Sequence, residues 1–346
     1  MNRSWLLDME LPIIQAPMAG VQGSVLAVAV SNAGGLGSLP CAMLSHDALR
    51  MELAAIRAQT DRPFNVNFFC HEVQRTDPRR EAVWRAELAP YYAEFGIDVA
   101  TIADAPARVP FSHQIADVLE EFKPPVVSFH FGLPAPDLVA RVKAMGAKIL
   151  STATTVAEAR WLEVHGADAV IAQGLEAGGH RGIFLSTDIN TQVGSFALLP
   201  QIVAAVNCPV IAAGGIADAR GVAAAMALGA AAVQIGTAYL LCPEASTSAV
   251  HRAALSSEAA RSTLITNRFT GRPARAIINR MLCELGPIGT AMPPFPLAAG
   301  AIAPLRAVAE ANGKGDFSPL WAGQNVSGCK AIPAAELTRE IARHLG

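Results

Sequence analysis

The sequence predicts an α/β protein: a (β/α)8 barrel of the TIM type with an inserted, mostly helical subdomain over the barrel mouth. Short β-branched, apolar runs alternate with alanine-rich amphipathic stretches along most of the 346 residues, which is typical of parallel βαβ units. Eight such runs are present, the number that closes a barrel. Hydrophobic residues make up 52% of the chain and charged residues 16%, enough apolar material for one large core.

The candidate strands are residues 12–15, 36–39, 64–68, 126–129, 148–151, 169–172, 210–213 and 233–235. The main candidate helices between them are 45–59, 136–145, 155–165, 196–206 and 217–228. The strands are apolar on both faces, as expected where helices cover the outside and side chains fill the inside. The pattern of strands and helices alone is also compatible with a doubly wound sheet. The glycine cluster 34–37 precedes a strand and opens no helix, so a dinucleotide-binding fingerprint is not supported.

Two stretches exceed an ordinary loop. Residues 70–123 contain a charged helical segment, 79–95, and a weaker strand near 99–102. Residues 243–318 read as mostly helical and end in a proline-rich passage, 287–296. We therefore divide the chain into a barrel (1–242), a helical subdomain (243–318) and a C-terminal return to the barrel (319–346).

Composition narrows the function classes. The net charge of −2 and pI near 6.5 give no electrostatic basis for binding nucleic acid or an anionic membrane. The six cysteines include no CxxC pair and indicate free thiols in a reducing compartment. Asp8 and Glu10 interrupt any signal-peptide core, and the uncharged stretch 221–243 divides into a helix and a strand. We expect a cytoplasmic protein without a membrane or nucleic-acid partner.

A phosphate site is predicted after the last two strands, where barrels commonly bind phosphate. Gly214-Gly215 follows the seventh strand, and Gln234-Ile235-Gly236-Thr237 ends the eighth. Without bulky side chains, backbone N–H groups at these loops approach an anion closely, and a helix N-terminus adds partial positive charge. The alternative is that these glycines serve tight turns only.

Other strand ends offer groups suited to a flat, polar ring. Asn67 and Gln173 each present an amide donor and acceptor, although either amide can instead satisfy loop backbone. The small-residue turn Pro17-Met18-Ala19 is suited to lie against a ring, and a turn packed around methionine is equally compatible with it.

His130 and His180 are the candidate catalytic residues. Each follows a strand on the predicted active face, where an imidazole binds an anion or moves a proton near neutral pH. The other six histidines (His46, His71, His113, His165, His251 and His344) receive no role. Glu176 either orients a neighbour or is solvated. No metal site is predicted, since H-E-x-x-H is absent, and no G-x-S-x-G elbow indicates a serine nucleophile.

Taken in order, these motifs resemble those of the nitronate monooxygenases, also called 2-nitropropane dioxygenases. The resemblance covers about residues 11–328 and rests on Ala16-Pro17-Met18-Ala19-Gly20, Asn67, His130-Phe131-Gly132, Gln173-Gly174, Glu176-Ala177-Gly178-Gly179-His180, Ala213-Gly214-Gly215-Ile216, Gln234-Ile235-Gly236-Thr237, Thr270-Gly271-Arg272-Pro273-Ala274-Arg275 and Trp321-Ala322-Gly323-Gln324.

The resemblance implies non-covalently bound FMN, with its phosphate on Gly215 and Gln234 to Thr237. It places the flavin ring against Pro17, Met18, Asn67, Gln173 and Gly178, beside Ala19 and Gly179, with Trp321 and Gln324 returning to the cofactor. His130 and His180 would lie beside the substrate.

The implied activity is oxidative denitrification of a small alkyl nitronate or nitroalkane with O2, giving a carbonyl compound and nitrite. An NAD(P)H-dependent FMN reductase of quinones or enoyl thioesters, and a non-redox barrel binding a phosphorylated metabolite, stay open as alternatives. One departure concerns the substrate: Phe295 stands where the resemblance leads us to expect a tyrosine. Oligomeric state, a homodimer included, stays open.

Overall fold

The computed structural model describes residues 8–102, 108–290 and 292–343; His344 lies outside them. Eight parallel strands form one sheet: β1 (Ile13–Gln15), β2 (Gly37–Pro40), β3 (Phe64–Phe69), β4 (Val126–His130), β5 (Lys148–Ala153), β6 (Ala169–Gln173), β8 (Val210–Ala213) and β9 (Ala232–Ile235). Their spatial order is β1-β9-β8-β6-β5-β4-β3-β2. A parallel bridge between Ile14 and Leu36 joins the two edge strands, so the (β/α)8 barrel is confirmed.

Helices surround this sheet: α1 (Ser24–Asn32), α2 (His46–Arg57), α4 (His113–Phe122), α5 (Pro136–Ala144), α6 (Val156–Val164), α7 (Ser195–Ala205) and α8 (Ala219–Ala227). Several begin at a side-chain cap, as at Ser45, whose side chain accepts a hydrogen bond from the Ala48 N–H, and Asp218, which accepts from Gly221. Such caps satisfy backbone donors that the first turn leaves unpaired.

Strand residues alternate between two cores. Ile14, Leu150 and Ile211 pack together inside the barrel, whereas Ile13 and Val233 pack against the surrounding helices. This two-residue alternation is what a closed, helix-covered barrel requires.

The region after the barrel contains both helices and strands. It comprises α9 (Ala249–Leu255), β10 (Thr263–Thr266), β11 (Ala274–Ile277), α10 (Arg280–Leu285) and α11 (Ala299–Ala311), before α12 (Ala334–Ile341) returns to the barrel. The segment begins with a helix, as expected, but it also contains an antiparallel pair, β10 with β11, that the sequence did not predict. Four-residue strands around a Gly-Arg-Pro turn give too little alternation to be recognised from sequence.

A short strand within the barrel loops, β7 (Gly179–His180), pairs antiparallel with β11, Ala274 opposite His180. The loop that carries His180 is thereby hydrogen-bonded to the added subdomain. The three-part division of the chain stays a prediction.

The long excursion before the fourth barrel strand also joins the subdomain. Helix α3 (Pro78–Glu94) packs on α11; the Trp84 indole N–H donates to the Ala298 carbonyl at 3.0 Å and the Tyr92 hydroxyl to Ala301 at 2.6 Å. The strand expected near residues 99–102 is wrong. Val99–Thr101 is a 3-10 turn whose start is capped by Asp98, a local hydrogen bond that competes with extended backbone.

None of the helices in the described ranges is long and apolar enough to cross a membrane.

Candidate active site

A cavity of about 370 Å3 opens at the carboxyl ends of the barrel strands, under the added subdomain. This is where barrels carry their chemistry, and the volume is that of a small-molecule site. Fourteen of the predicted site residues line it: Pro17, Met18, Ala19, Asn67, His130, Gln173, Gly178, Gly179, His180, Gly215, Gln234, Ile235, Gly236 and Thr237. The structure thus brings together residues that are spread over more than two hundred positions of sequence.

The glycine-rich end of the cavity has the shape of an anion cradle. Gly214 and Gly215 have φ values of 113° and 75°, which glycine adopts without strain. The Gln234 side-chain oxygen is buried there without a hydrogen-bond partner, so it is free to bind a ligand donor. Asn325 donates to the Gly215 carbonyl at 2.9 Å and holds this turn in place.

The two predicted amides have different surroundings. Gln173 donates to the His180 carbonyl at 2.9 Å and accepts from the Gly182 N–H at 2.8 Å, so the alternative of satisfying loop backbone applies to it. Asn67 donates to the Ser128 hydroxyl at 2.9 Å, and its oxygen has no partner among the hydrogen bonds of the described residues. Asn67 therefore retains an acceptor for a ligand.

Gly178 has a structural requirement of its own. A Cβ there would lie 2.5 Å from the Gly323 nitrogen and 2.6 Å from the Ala322 carbonyl carbon. The chain returning from the subdomain passes directly over this loop, where Gly323 also donates to the Thr237 hydroxyl at 2.9 Å. Trp321, Gly323 and Asn325 line the cavity, but Gln324 does not appear in its lining.

His130 uses both ring nitrogens within the protein. Its Nε2 lies 3.2 Å from the His180 carbonyl oxygen and its Nδ1 3.1 Å from the Thr152 hydroxyl. A carbonyl only accepts, so Nε2 carries the proton and Nδ1 accepts from Thr152. Burial lowers the pKa of His130 to about 3, so this ring is neutral. It holds the His180 loop and has no free N–H for a substrate.

His180 has one ring nitrogen, Nδ1, without a hydrogen-bond partner among the described residues. Its Nε2 lies 2.9 Å from the Thr270 hydroxyl, and its ring packs against Phe295 and Trp321 at centroid distances of 5.2 and 5.3 Å. Burial, and then the charge of Arg108, hold the pKa of His180 well below its usual value. His180 is therefore neutral at physiological pH.

Two arginines that sequence reasoning missed lie around this histidine pair. Arg108 lines the cavity, with its guanidinium carbon 5.4 Å from the Phe295 ring centroid. The Arg272 guanidinium lies 3.7 Å from the Phe131 centroid, and its Nε is buried without a partner. Within residues 8–102, 108–290 and 292–343, neither forms an ion pair with a carboxylate. Arg272 stood in a quoted motif, whereas Arg108 had no sequence signal.

Two further histidines also belong to this region. His71 is buried, donates from Nε2 to the Arg108 carbonyl at 2.9 Å and packs edge-on to Phe295. His251 lines the cavity and bonds the Trp321 carbonyl at 3.1 Å. Their place at the site depends on contacts with residues distant in sequence, so the sequence alone gave no reason to assign them a role.

Two other charged residues of the active face have structural partners. The Glu176 carboxylate accepts from the Ser195 N–H at 2.9 Å and so caps α7. Arg181 is fully buried and donates to Gln192 and to the carbonyls of Gln173 and Gly174. In the part of the chain that is described, no group of histidine, cysteine or acidic residues is arranged to hold a metal ion.

Comparison with known proteins identifies the family. The nitronate monooxygenase family model matches residues 3–344. This chain belongs to the nitronate monooxygenase family. Nitronate monooxygenases of Pseudomonas aeruginosa and Paraburkholderia phytofirmans are each 43% identical to it, over 98% of this chain and 97% and 93% of their own. It is therefore an oxidoreductase of a flavoenzyme family.

Solved structures give the same picture. Nitroalkane oxidase from Streptomyces ansochromogenes superimposes with a TM-score of 0.89 at 40% identity, covering 97% of this chain and 96% of its own. FabK from Thermotoga maritima gives a TM-score of 0.70 at 31% identity, covering 98% and 93%. The nitronate monooxygenase family and this barrel architecture thus agree.

Proposed function

We propose that this enzyme oxidises small alkyl nitronates with O2 at a bound FMN, giving a carbonyl compound and nitrite. The observation that carries the proposal is Arg108, a largely buried arginine that lines the cavity beside the neutral His180 and forms no ion pair with a carboxylate of the described residues. Buried cations without a counter-ion are costly, so the site is completed by an anion. A nitronate carries that charge on its two oxygens.

The residues present fit FMN. Its phosphate needs closely approaching backbone N–H groups, which the Gly214-Gly215 turn supplies at positive φ. The partnerless Gln234 oxygen is an acceptor for a ribityl hydroxyl, and the Asn67 oxygen is an acceptor for the ring N–H. Met18 and Ala19 give the ring an apolar surface. Bound FMN would accept electrons from the substrate and pass them to O2.

This chain's own groups bind and orient the nitronate. Arg108 neutralises its charge, and the neutral His180 lies beside it at the cavity wall. Phe69 lines the cavity and packs against Phe131 and Phe295, at centroid distances of 5.0 and 6.0 Å. This apolar cluster limits water on one side of the anion, which strengthens its attraction to Arg108. His130 contributes by positioning the His180 loop.

The test is a steady-state assay of purified protein with ethylnitronate, following O2 consumption, acetaldehyde and nitrite, with the flavin released by heat and identified by mass. Nitrite formed with acetaldehyde and an FMN mass support the proposal. A protein that purifies without flavin contradicts the cofactor. A flavin that NADH reduces rapidly while ethylnitronate yields no nitrite favours the NAD(P)H-dependent reductase.

A further inference from the structure

Thr270 lies at the contact between the subdomain and His180. It is 4% exposed and lines the cavity. Its hydroxyl oxygen is 2.9 Å from His180 Nε2 and 3.4 Å from the Arg272 carbonyl oxygen. The hairpin on which Thr270 lies pairs with the short strand that carries His180. The two side chains are thus held together by the backbone on both sides.

These contacts favour one position for the proton of His180. The Thr270 hydroxyl has one hydrogen, and the Arg272 carbonyl is a group that can only accept it. With that hydrogen directed to the carbonyl, the hydroxyl oxygen accepts a hydrogen bond from His180, so Nε2 carries the imidazole proton. Nδ1 is then the unprotonated nitrogen. It forms no hydrogen bond with the described residues. It is also not one of the buried side-chain atoms that lack a partner, so it keeps some accessible surface.

We propose that Thr270 is a positioning residue that holds His180 in the tautomer whose Nδ1 accepts the α-proton of a neutral nitroalkane. This inference rests on the proposed function. In the step, the α C–H bond of the nitroalkane breaks and its proton bonds to Nδ1. The electron pair of that bond forms a C=N bond, and the nitro oxygens take the negative charge. The products are a nitronate and an imidazolium, with no change in oxidation state.

The charged and titratable groups around His180 make its hydrogen bond to Thr270 necessary. Arg108, His130, Arg272 and His71 all disfavour a positive charge on His180. The imidazolium formed in the step is therefore poorly tolerated, and its Nε2–H keeps the Thr270 oxygen as an acceptor in a charge-assisted hydrogen bond. Arg108, which lines the cavity, stabilises the nitronate as it forms, and this offsets its effect on the histidine.

The test compares Thr270→Val, which removes the hydroxyl at nearly constant volume, with Thr270→Ser, which keeps it. The matched control is Thr247→Val, because the buried Thr247 hydroxyl has no hydrogen-bond partner. The kcat/KM values for nitroethane and for ethylnitronate are measured on each variant at equal flavin content. Thr270→Ala replaces the valine variant if that one does not fold.

We expect Thr270→Val to lower kcat/KM for nitroethane by about 10- to 100-fold, the effect of losing one hydrogen bond to a charged group. Ethylnitronate turnover should fall less, because it needs no proton transfer to His180, so the ratio of kcat/KM for nitroethane to that for ethylnitronate should fall. Thr270→Ser and Thr247→Val should both resemble wild type. The inference alone is overturned if Thr270→Val leaves the ratio of the two kcat/KM values unchanged. It is also overturned if wild-type protein oxidises ethylnitronate but no nitroethane. Wild-type protein inert toward both overturns the proposed function with it.

Discussion

Replacing Arg108 with methionine should remove the charge that holds the substrate anion while keeping a long apolar side chain. Arg108 and His180 both contact the Phe295 ring, with centroid distances of 5.4 Å to the guanidinium carbon and 5.2 Å to the imidazole. An anion bound between the two groups, roughly 5 Å from the guanidinium, interacts with it by about 3 kcal/mol at an effective dielectric constant of ~20.

That energy corresponds to a fall of about 100-fold in kcat/KM for ethylnitronate. The assay is initial-rate O2 consumption over a range of nitronate concentrations, at low and high salt. Arg306→Met is the matched control: Arg306 lines the same cavity, but its charge is already paired with Glu310 at 2.8 Å, so its loss should change kcat/KM by less than about threefold. Equal, small effects of both substitutions would refute the role of Arg108 as the counter-ion.

Two further predictions concern stability and pH. Gly178→Ala places a Cβ 2.5 Å from the Gly323 nitrogen and should lower the free energy of unfolding by about 1–3 kcal/mol; urea denaturation checks this, and an alanine variant as stable as wild type would contradict the close approach. Burial lowers the pKa of His130 to about 3 and that of His251 to about 4. The unfolded chain therefore binds more protons below pH ~6.5, and stability should fall from there to pH ~4, by up to about 1.4 kcal/mol per pH unit for each histidine. His251→Gln should make that pH dependence shallower, and an unchanged slope would argue against a buried neutral His251.

The barrel could be predicted from the sequence because its strands obey one repeated rule. Each is a short run that is apolar on both faces and bounded by a helix, and β8 (Val210–Ala213) has the predicted bounds. The loops at the strand ends follow from the strands, since parallel strands in a barrel place all their carboxyl ends on one side. The cavity lining was therefore predictable from residues such as Asn67 and Thr237.

The missing parts depend on contacts that no local pattern encodes. The pairing of β7 with β11 joins residues nearly a hundred positions apart, and each of the two strands is too short to show alternation. Arg108 lies in no periodic segment, so its position beside His180 emerges only from the packed structure. His130 was correctly placed at the cavity, but only its hydrogen bonds reveal that both nitrogens are occupied.

The proposed oxidation of nitronates by bound FMN in this cavity can be tested with the anaerobic visible spectrum of the purified protein, recorded before and after propionate 3-nitronate is added. We expect an oxidised flavin spectrum that changes promptly and returns to its starting form when O2 is admitted, with nitrite released. An oxidised flavin that nitronate leaves unchanged would contradict it.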